Sequence, residues 1–171
     1  MKFTCTQENL SRGLNFAQSI SNQATALPIL KNILITAKNG AITIKATDLE
    51  IGITTLVRGK IEQEGELTVD SKILTSFVNL LPNDKVDVES EKNTISIQSG
   101  SYKTKINGTA ADDFPVIPEI TKNKGFSIAC REIKKALISI LPSVSVDDTR
   151  PEINGVFFQV NKEEIILAGT D

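Results

Sequence analysis

Leu67-Thr68-Val69-Asp70-Ser71-Lys72-Ile73-Leu74-Thr75-Ser76-Phe77-Val78-Asn79-Leu80-Leu81-Pro82 is the stretch on which the fold turns. Leu67 and Val69 alternate with polar neighbours, as a half-buried strand does. Leu74, Val78 and Leu81 then follow at i, i+4, i+7, the stripe of an amphipathic helix. Pro82 stops that helix. The pattern occurs twice more in this chain of 171 residues. It runs through Phe3, Cys5, Leu10, Leu14 and Ala17, and again through Phe126, Ile128, Ile133, Leu137 and Ile140, with Pro142 as the second stop. A strand followed at once by an amphipathic helix is therefore a repeated element.

The residues after each helix extend the repeat. Ile33, Ile35, Ile42 and Ile44 match Val156, Phe158, Ile165 and Leu167 at an offset of 123, and Thr47-Asp48 matches Thr170-Asp171. Asn39-Gly40 between the runs is a strong hairpin signal, and Lys162-Glu163 a weak one. The second repeat carries Val86 and Val88, a turn near Lys92-Asn93, Ile95 and Ile97, then Ser99-Gly100-Ser101 before a strand through Tyr102, Thr104 and Ile106. The first continues past Asp48 through Ile51, Ile53, Thr55 and Val57. Each repeat is thus a strand, a helix and a three-strand meander. The fold class expected is α+β, with residues 1–120 a complete domain of two similar halves. Ala110 to Lys124, with Pro115, Pro118 and Gly125, reads as a linker. Residues 121–171 read as the start of a second, truncated domain, because the third repeat stops where its third meander strand should begin.

Composition narrows the function. There is no histidine, which removes Ser-His-Asp and Cys-His catalysis and His-ligated metals. Cys5 and Cys130 are too few for a disulfide framework or a Cys-rich zinc site. Asp48 and Asp171, at equivalent points of the repeat, read as turn residues. Asp112-Asp113 and Asp147-Asp148 lack a third ligand at metal spacing. No Gly-rich phosphate loop or carboxylate cluster suggests an enzyme. The N-terminus lacks a signal-peptide core and no apolar run approaches the ~20 residues of a membrane span, so a cytoplasmic protein is expected. Asn107-Gly108-Thr109 is then a chance glycosylation match.

Net charge is −2, but it is unevenly spread. The helical segments 8–20, 71–81 and 131–141 carry Arg12, Lys72, Arg131, Lys134 and Lys135 against Glu8 and Glu132, a sum of +3. The rest sums to −5. A strongly basic nucleic-acid binder is excluded as a whole-chain property, and local basic surfaces remain possible. Solvated helix faces with ordinary lysines fit the same count.

Several motifs carry a resemblance. Met1-Lys2-Phe3-Thr4, Leu27-Pro28-Ile29-Leu30-Lys31-Asn32-Ile33-Leu34, Ala46-Thr47-Asp48-Leu49-Glu50 and Ala111-Asp112-Asp113-Phe114-Pro115 occur in order. Asp148-Thr149-Arg150-Pro151, Ile153-Asn154-Gly155-Val156-Phe157 and Leu167-Ala168-Gly169-Thr170-Asp171 follow. The set resembles, over the whole chain, the bacterial DNA polymerase III beta subunit family of sliding clamps. The resemblance implies the DNA-clamp fold: three domains per subunit, each a pair of repeats, and two subunits closed head to tail around duplex DNA. It implies a homodimeric, non-catalytic processivity factor without cofactor or metal. Its partners would be double-stranded DNA, bound without regard to sequence, and a replicative polymerase and clamp loader that bind through short peptides.

The resemblance also assigns residues. The helices line the hole in that family, so Arg12, Lys72, Lys134 and Lys135 would face DNA. The loop that often carries a DNA-touching arginine reads Asn22-Gln23-Ala24-Thr25 here. Arg150, Ile153 and Thr170 match the near wall of the partner-peptide pocket, although the Gly-His-Arg-Leu stretch that usually follows is absent. The edge strand Lys103-Thr104-Lys105-Ile106 matches the subunit interface, with Thr104 where some members carry a large apolar residue. Ordinary roles fit these residues too: Ile153 as core, Arg150 as an ion-pair partner, Thr170 in a turn, and the two lysines guarding a solvent-facing edge. A repeat-built peptide-binding module with no role on DNA is the alternative, and salt-dependent DNA binding discriminates the two.

Overall fold

The computed structural model describes residues 1–21, 27–118, 125–147, 149–162 and 164–171. They divide into two compact units, Met1–Glu119 and Ile120–Asp171. In the first, β1 (Lys2–Thr6) leads straight into α1 (Gln7–Ser21), and β2 (Asn32–Lys38), β3 (Ala41–Thr47) and β4 (Gly52–Val57) form a meander. After β5 (Gly59–Gln63) the pattern recurs as β6 (Gly65–Asp70), α2 (Ser71–Leu80), β7 (Lys85–Glu91), β8 (Thr94–Ser99) and β9 (Tyr102–Thr109).

Local chemistry sets these boundaries. Thr6 Oγ1 accepts the Asn9 N–H (3.3 Å) at the start of α1, and Asp70 Oδ1 accepts the Ile73 N–H (2.8 Å) as the N-cap of α2. Leu81 is extended (φ −71°, ψ 150°), as a residue before proline must be, and α2 ends there. Asn39 (φ 51°) and Gly40 (φ 75°) both take the positive φ that a tight hairpin between β2 and β3 needs. Asp48 Oδ1 accepts the N–H groups of Glu50 (3.0 Å) and Ile51 (2.7 Å), so its carboxylate closes a turn. Asp70→Ala leaves the Ile73 N–H without its side-chain acceptor, and a loss of about 1 kcal/mol in urea denaturation is expected.

The two halves interlock. Among the described residues the sheet runs β4-β3-β2-β6-β9-β8-β7-β1-β5. β1 pairs with β7 and β6 pairs with β2, so each half's first strand completes the other half's meander. β4 and β5 lie at opposite ends of this order, yet only Arg58 separates them. Two trans peptides span at most about 7.6 Å, so the sheet must curl until its ends meet.

The repeat predicts no strand at β5, and its structural counterpart explains it. β9 pairs with β8 and then, at Gly108 and Thr109, with Val69 and Thr68 of β6. β4 pairs with β3, bends at Arg58, and as β5 sets Gly59 and Lys60 against Cys5 and Thr4 of β1. Thr4 and Thr68 are equivalent in the repeat, as are Cys5 and Val69. Gly59 and Gly108 therefore occupy matching corners.

The core lies between sheet and helices. Leu10, Leu14, Leu74 and Val78 all belong to one buried cluster with Phe3, Ile33, Ile35, Ile42, Ile44, Val69, Ile95 and Ile97, as the repeated spacing predicts.

The second unit contains α3 (Cys130–Ile140) and an antiparallel hairpin of β10 (Phe157–Val160) and β11 (Ile165–Ala168), closed by the Asn161 N–H on Glu164 O (2.9 Å). Glu163 of the expected turn, Asp148 and the Asn22-Gln23-Ala24-Thr25 loop lie outside the described residues, as does 119–124 of the expected linker. The strand expected through Phe126 and Ile128 is not formed: 125–129 has no regular structure, and no described strand pairs with it. β1 and β6 are strands because each has a neighbour on both sides, and 126–129 has none. Ile133, Leu137 and Ile140 are half-buried, and no described residue of 125–171 is fully buried.

Candidate functional site

α1 and α2 pack side by side. Gln7 Nε2, at the start of α1, donates to Val78 O near the end of α2 (2.9 Å), so the helices run antiparallel. Asn15 and Asn79, equivalent in the repeat, meet in a reciprocal amide pair: Asn79 Nδ2 donates to Asn15 Oδ1 (3.2 Å) and Asn15 Nδ2 to Asn79 Oδ1 (3.5 Å). Ser11 Oγ also donates to Asn79 Oδ1 (2.6 Å). This polar seam marks the pseudo-two-fold between the halves on the outer surface of the helix layer.

The basic residues predicted for the helices are all exposed, but they differ electrostatically. Arg12 Nη2 pairs with Glu8 Oε1 at 3.0 Å, an i,i+4 pair that offsets its charge locally. Lys72 is the second residue of α2 with no carboxylate within 4.0 Å among the described residues, and Lys134 and Lys135 on α3 are likewise unpaired. On the sheet Lys2 pairs with Glu62 (3.1 Å), Lys38 with Glu66 (3.5 Å) and Lys85 with Asp87 (3.0 Å), whereas Lys45, Lys60, Lys103 and Lys105 have no carboxylate within 4.0 Å among the described residues. Asp87 is held below the usual carboxylate range by the Thr4 hydroxyl (2.6 Å) and by Lys85. Unpaired positive charge thus occurs on helices and sheet alike; on the helices it is exposed, and a phosphate can reach it without displacing an internal partner.

β9 is paired with β8 along its length, and its other side is free until Gly108. The Gly108 N–H donates to Asn93 O (2.7 Å), which fixes the alternation. In an antiparallel ladder every second residue turns its N–H and C=O away from its neighbour, so Lys103 and Lys105 offer theirs to solvent, while Asn107 turns toward β6. Thr104 and Ile106 bond inward, and the Ile106 side chain is 8% exposed in the core. Ile106 therefore positions the edge from beneath, and the lysines rim it.

Arg150 and Ile153 come together in one turn, where the Ile153 N–H donates to Arg150 O (3.2 Å). Asp147 Oδ1 starts that turn by accepting from the Thr149 hydroxyl (2.7 Å) and N–H (2.9 Å), which hold its carboxyl below the usual range. Arg150 is exposed with Glu152 at 3.9 Å, and Ile153 is half-buried. Thr170 is exposed, and its carbonyl accepts from the Ser145 N–H (3.1 Å); no hydrogen bond ties it to the Arg150 turn.

The Cys5 thiol is buried and pushed up to about 12, by desolvation first and by the nearby Asp87 charge second, so it remains protonated and inert. Among the described residues no three Cys, Asp or Glu side chains converge as metal ligands, and no helix is long and apolar enough to cross a membrane. Sequence reasoning missed Arg58. It falls at the corner between β4 and β5, outside every repeated position, so no periodicity marked it.

Comparison with known proteins follows the same outline. The family described as "DNA polymerase III beta subunit, N-terminal domain" matches residues 1–118. The beta sliding clamp of Synechococcus elongatus is 30% identical, with all of this chain and 46% of that protein aligned. That of Bacillus subtilis is 26% identical, with 100% and 48% covered. A crystal structure of a putative DNA polymerase III beta subunit from Eubacterium rectale superposes with a TM-score of 0.94 at 28% identity, covering 100% of this chain and 47% of that one. A sliding clamp from Bartonella birtlesii bound to griselimycin gives 0.91 at 26% identity, covering 100% and 47%. The chain spans about half the length of the curated relatives it matches.

Proposed function

This chain belongs to the DNA polymerase III beta subunit family, and on that premise we propose that it is part of a sliding clamp, a non-catalytic ring that encircles duplex DNA in the cytoplasm and tethers a replicative polymerase. The observation that carries the reading is a set of exposed helix lysines without an acidic partner. Lys72, Lys134 and Lys135 have no carboxylate within 4.0 Å among the described residues, so their charge is open to a phosphate. A tether that slides needs phosphate contacts without base readout, and lysines on helix surfaces supply them.

The remaining roles follow from the same premise. The unpaired main chain of β9 at Lys103 and Lys105 would add a strand from a second subunit, with Thr104 beside it and Ile106 holding the strand flat. The Arg150–Ile153 turn and Thr170 would form one wall of a pocket for a short partner peptide from the polymerase or the clamp loader. The griselimycin complex of the Bartonella birtlesii clamp shows that a relative binds a ligand of its own.

The test is a Lys72→Ala, Lys134→Ala, Lys135→Ala variant of the protein assembled on duplex DNA. Loss of three phosphate contacts lowers the slope of log affinity against log salt by up to about 2.7, at about 0.9 per phosphate. Retention on DNA should fall at every salt concentration with no change in sequence preference. Parent-like retention from low to high salt would remove these lysines from the DNA surface and favour a peptide-binding module instead.

A further inference from the structure

A groove of about 360 Å³ runs between α1 and β4, lined by Asn9, Arg12, Gly13, Phe16, Thr55, Leu56 and Arg58. Its depth has a local cause. Gly13 lies where an added Cβ would come within 3.1–3.2 Å of Val57, Ile44 and Thr55, so at this point α1 approaches β4 without a side chain between them. Thr55 Oγ1 lies 3.4 Å from Gly13 O at the contact between helix and strand. The repeat equivalent of Gly13 is Phe77, a bulky ring at the edge of the core. α2 accordingly makes far fewer contacts with β9 than α1 makes with β4.

Of the four arginines, Arg58 has no carboxylate within 4.0 Å among the described residues, whereas Arg12, Arg131 and Arg150 each have one. Arg58 is exposed, and the one-residue corner between β4 and β5 fixes its backbone. Glu8 offsets Arg12, so Arg58 supplies the surplus positive charge of the groove, with the Asn9 amide and Thr55 hydroxyl as neutral hydrogen-bonding groups. A guanidinium presents paired N–H donors that match two oxygens of one phosphate.

We propose that this groove holds a backbone phosphate of duplex DNA and that Arg58 is its main ligand, with Arg12 at its side. The inference rests on the clamp reading above. It extends the DNA surface from the helix faces onto the corner of the sheet.

The experiment compares Arg58→Ala, Arg58→Lys and Lys72→Ala in the full protein assembled on duplex DNA, each titrated with salt. Arg58→Ala should weaken retention several-fold at low salt and reduce the salt slope by about 0.9, the equivalent of one phosphate. Arg58→Lys should keep the slope and lose part of the affinity, because a point charge replaces a fork. If Lys72→Ala reduces the slope and Arg58→Ala does not, the groove assignment is wrong and the clamp reading stands. If neither variant changes the slope, the DNA surface itself is misplaced and this inference falls with it. Inorganic phosphate that raises the Tm of the parent but not of Arg58→Ala, with an unchanged DNA slope, would assign the groove to a free anion and overturn the proposal.

Discussion

Gly108→Val should lower stability by about 3 kcal/mol or more, a Tm loss of roughly 10 °C for a chain of this size. Valine favours strands, so propensity argues for the substitution and only the local contact argues against it. A Cβ at Gly108 would collide with the carbonyl oxygen of Thr68 and meet Leu67 side-chain carbons at 3.1 and 3.2 Å. The obstructing atom is backbone in a paired strand, which cannot rotate away. β9 would have to lift from β6 and break the corner that closes the sheet. Gly59→Val should behave alike, since its Cβ would lie 2.5 Å from Thr4 O and 2.7 Å from Ile42 Cδ1. Gly125→Val is the control, with nothing within 4 Å of its Cβ, and should stay within about 0.5 kcal/mol of the parent. Thermal unfolding of the three variants reads the difference directly. A Gly108→Val protein melting within a degree or two of the parent would show that the corner is not close-packed.

Leu14→Ala should cost about 3–4 kcal/mol in urea denaturation, and Leu74→Ala a similar amount. Leu14 is fully buried and Leu74 is 1% exposed, and both lie in the cluster that joins α1 to α2 and to the sheet. Truncation removes the transfer free energy of three carbons and leaves a cavity that interlocked halves cannot collapse. The two leucines are repeat equivalents within one cluster, so the double variant should fall short of additivity by about 0.5 kcal/mol or more. Leu80→Ala, at an 83% exposed position of the same helix layer, should change stability by less than about 0.5 kcal/mol. Additive losses for Leu14 and Leu74 would mean that the helices pack independently. That would contradict the shared core.

Much of the candidate site was legible at the level of residues and illegible at the level of partners. The helix positions of Arg12, Lys72, Lys134 and Lys135 follow from a 3.6-residue period, and all four are exposed as that period requires. Which of them is neutralised does not follow from charge counts. Arg12 lost its charge to Glu8 on its own helix, a pair visible at i,i+4 spacing, whereas the isolation of Lys72 depends on what the rest of the fold brings near it. The edge at Lys103 to Ile106 was legible as a strand. That Ile106 points inward while Lys103 and Lys105 turn their main chain outward depends on the ladder with β8.

Alternation, helical stripe, cap and turn are local properties of the chain, and by itself the sequence determined them: the two strand-helix repeats of the first unit, the helix of the third, the stops at Pro82 and Pro142, the Asn39-Gly40 hairpin, and the apolar spacing of Leu10, Leu14, Leu74 and Val78. Pairing is a property of neighbours distant in the chain, and only the tertiary structure decided it. It placed β1 beside β7 and β6 beside β2, bent one strand at Arg58 so that Gly59 and Gly108 became matching corners, and opened the groove beside Gly13. It also left 126–129 without strand structure, although its residues alternate as well as those of β1, because a strand exists only where another chain segment completes its hydrogen bonds.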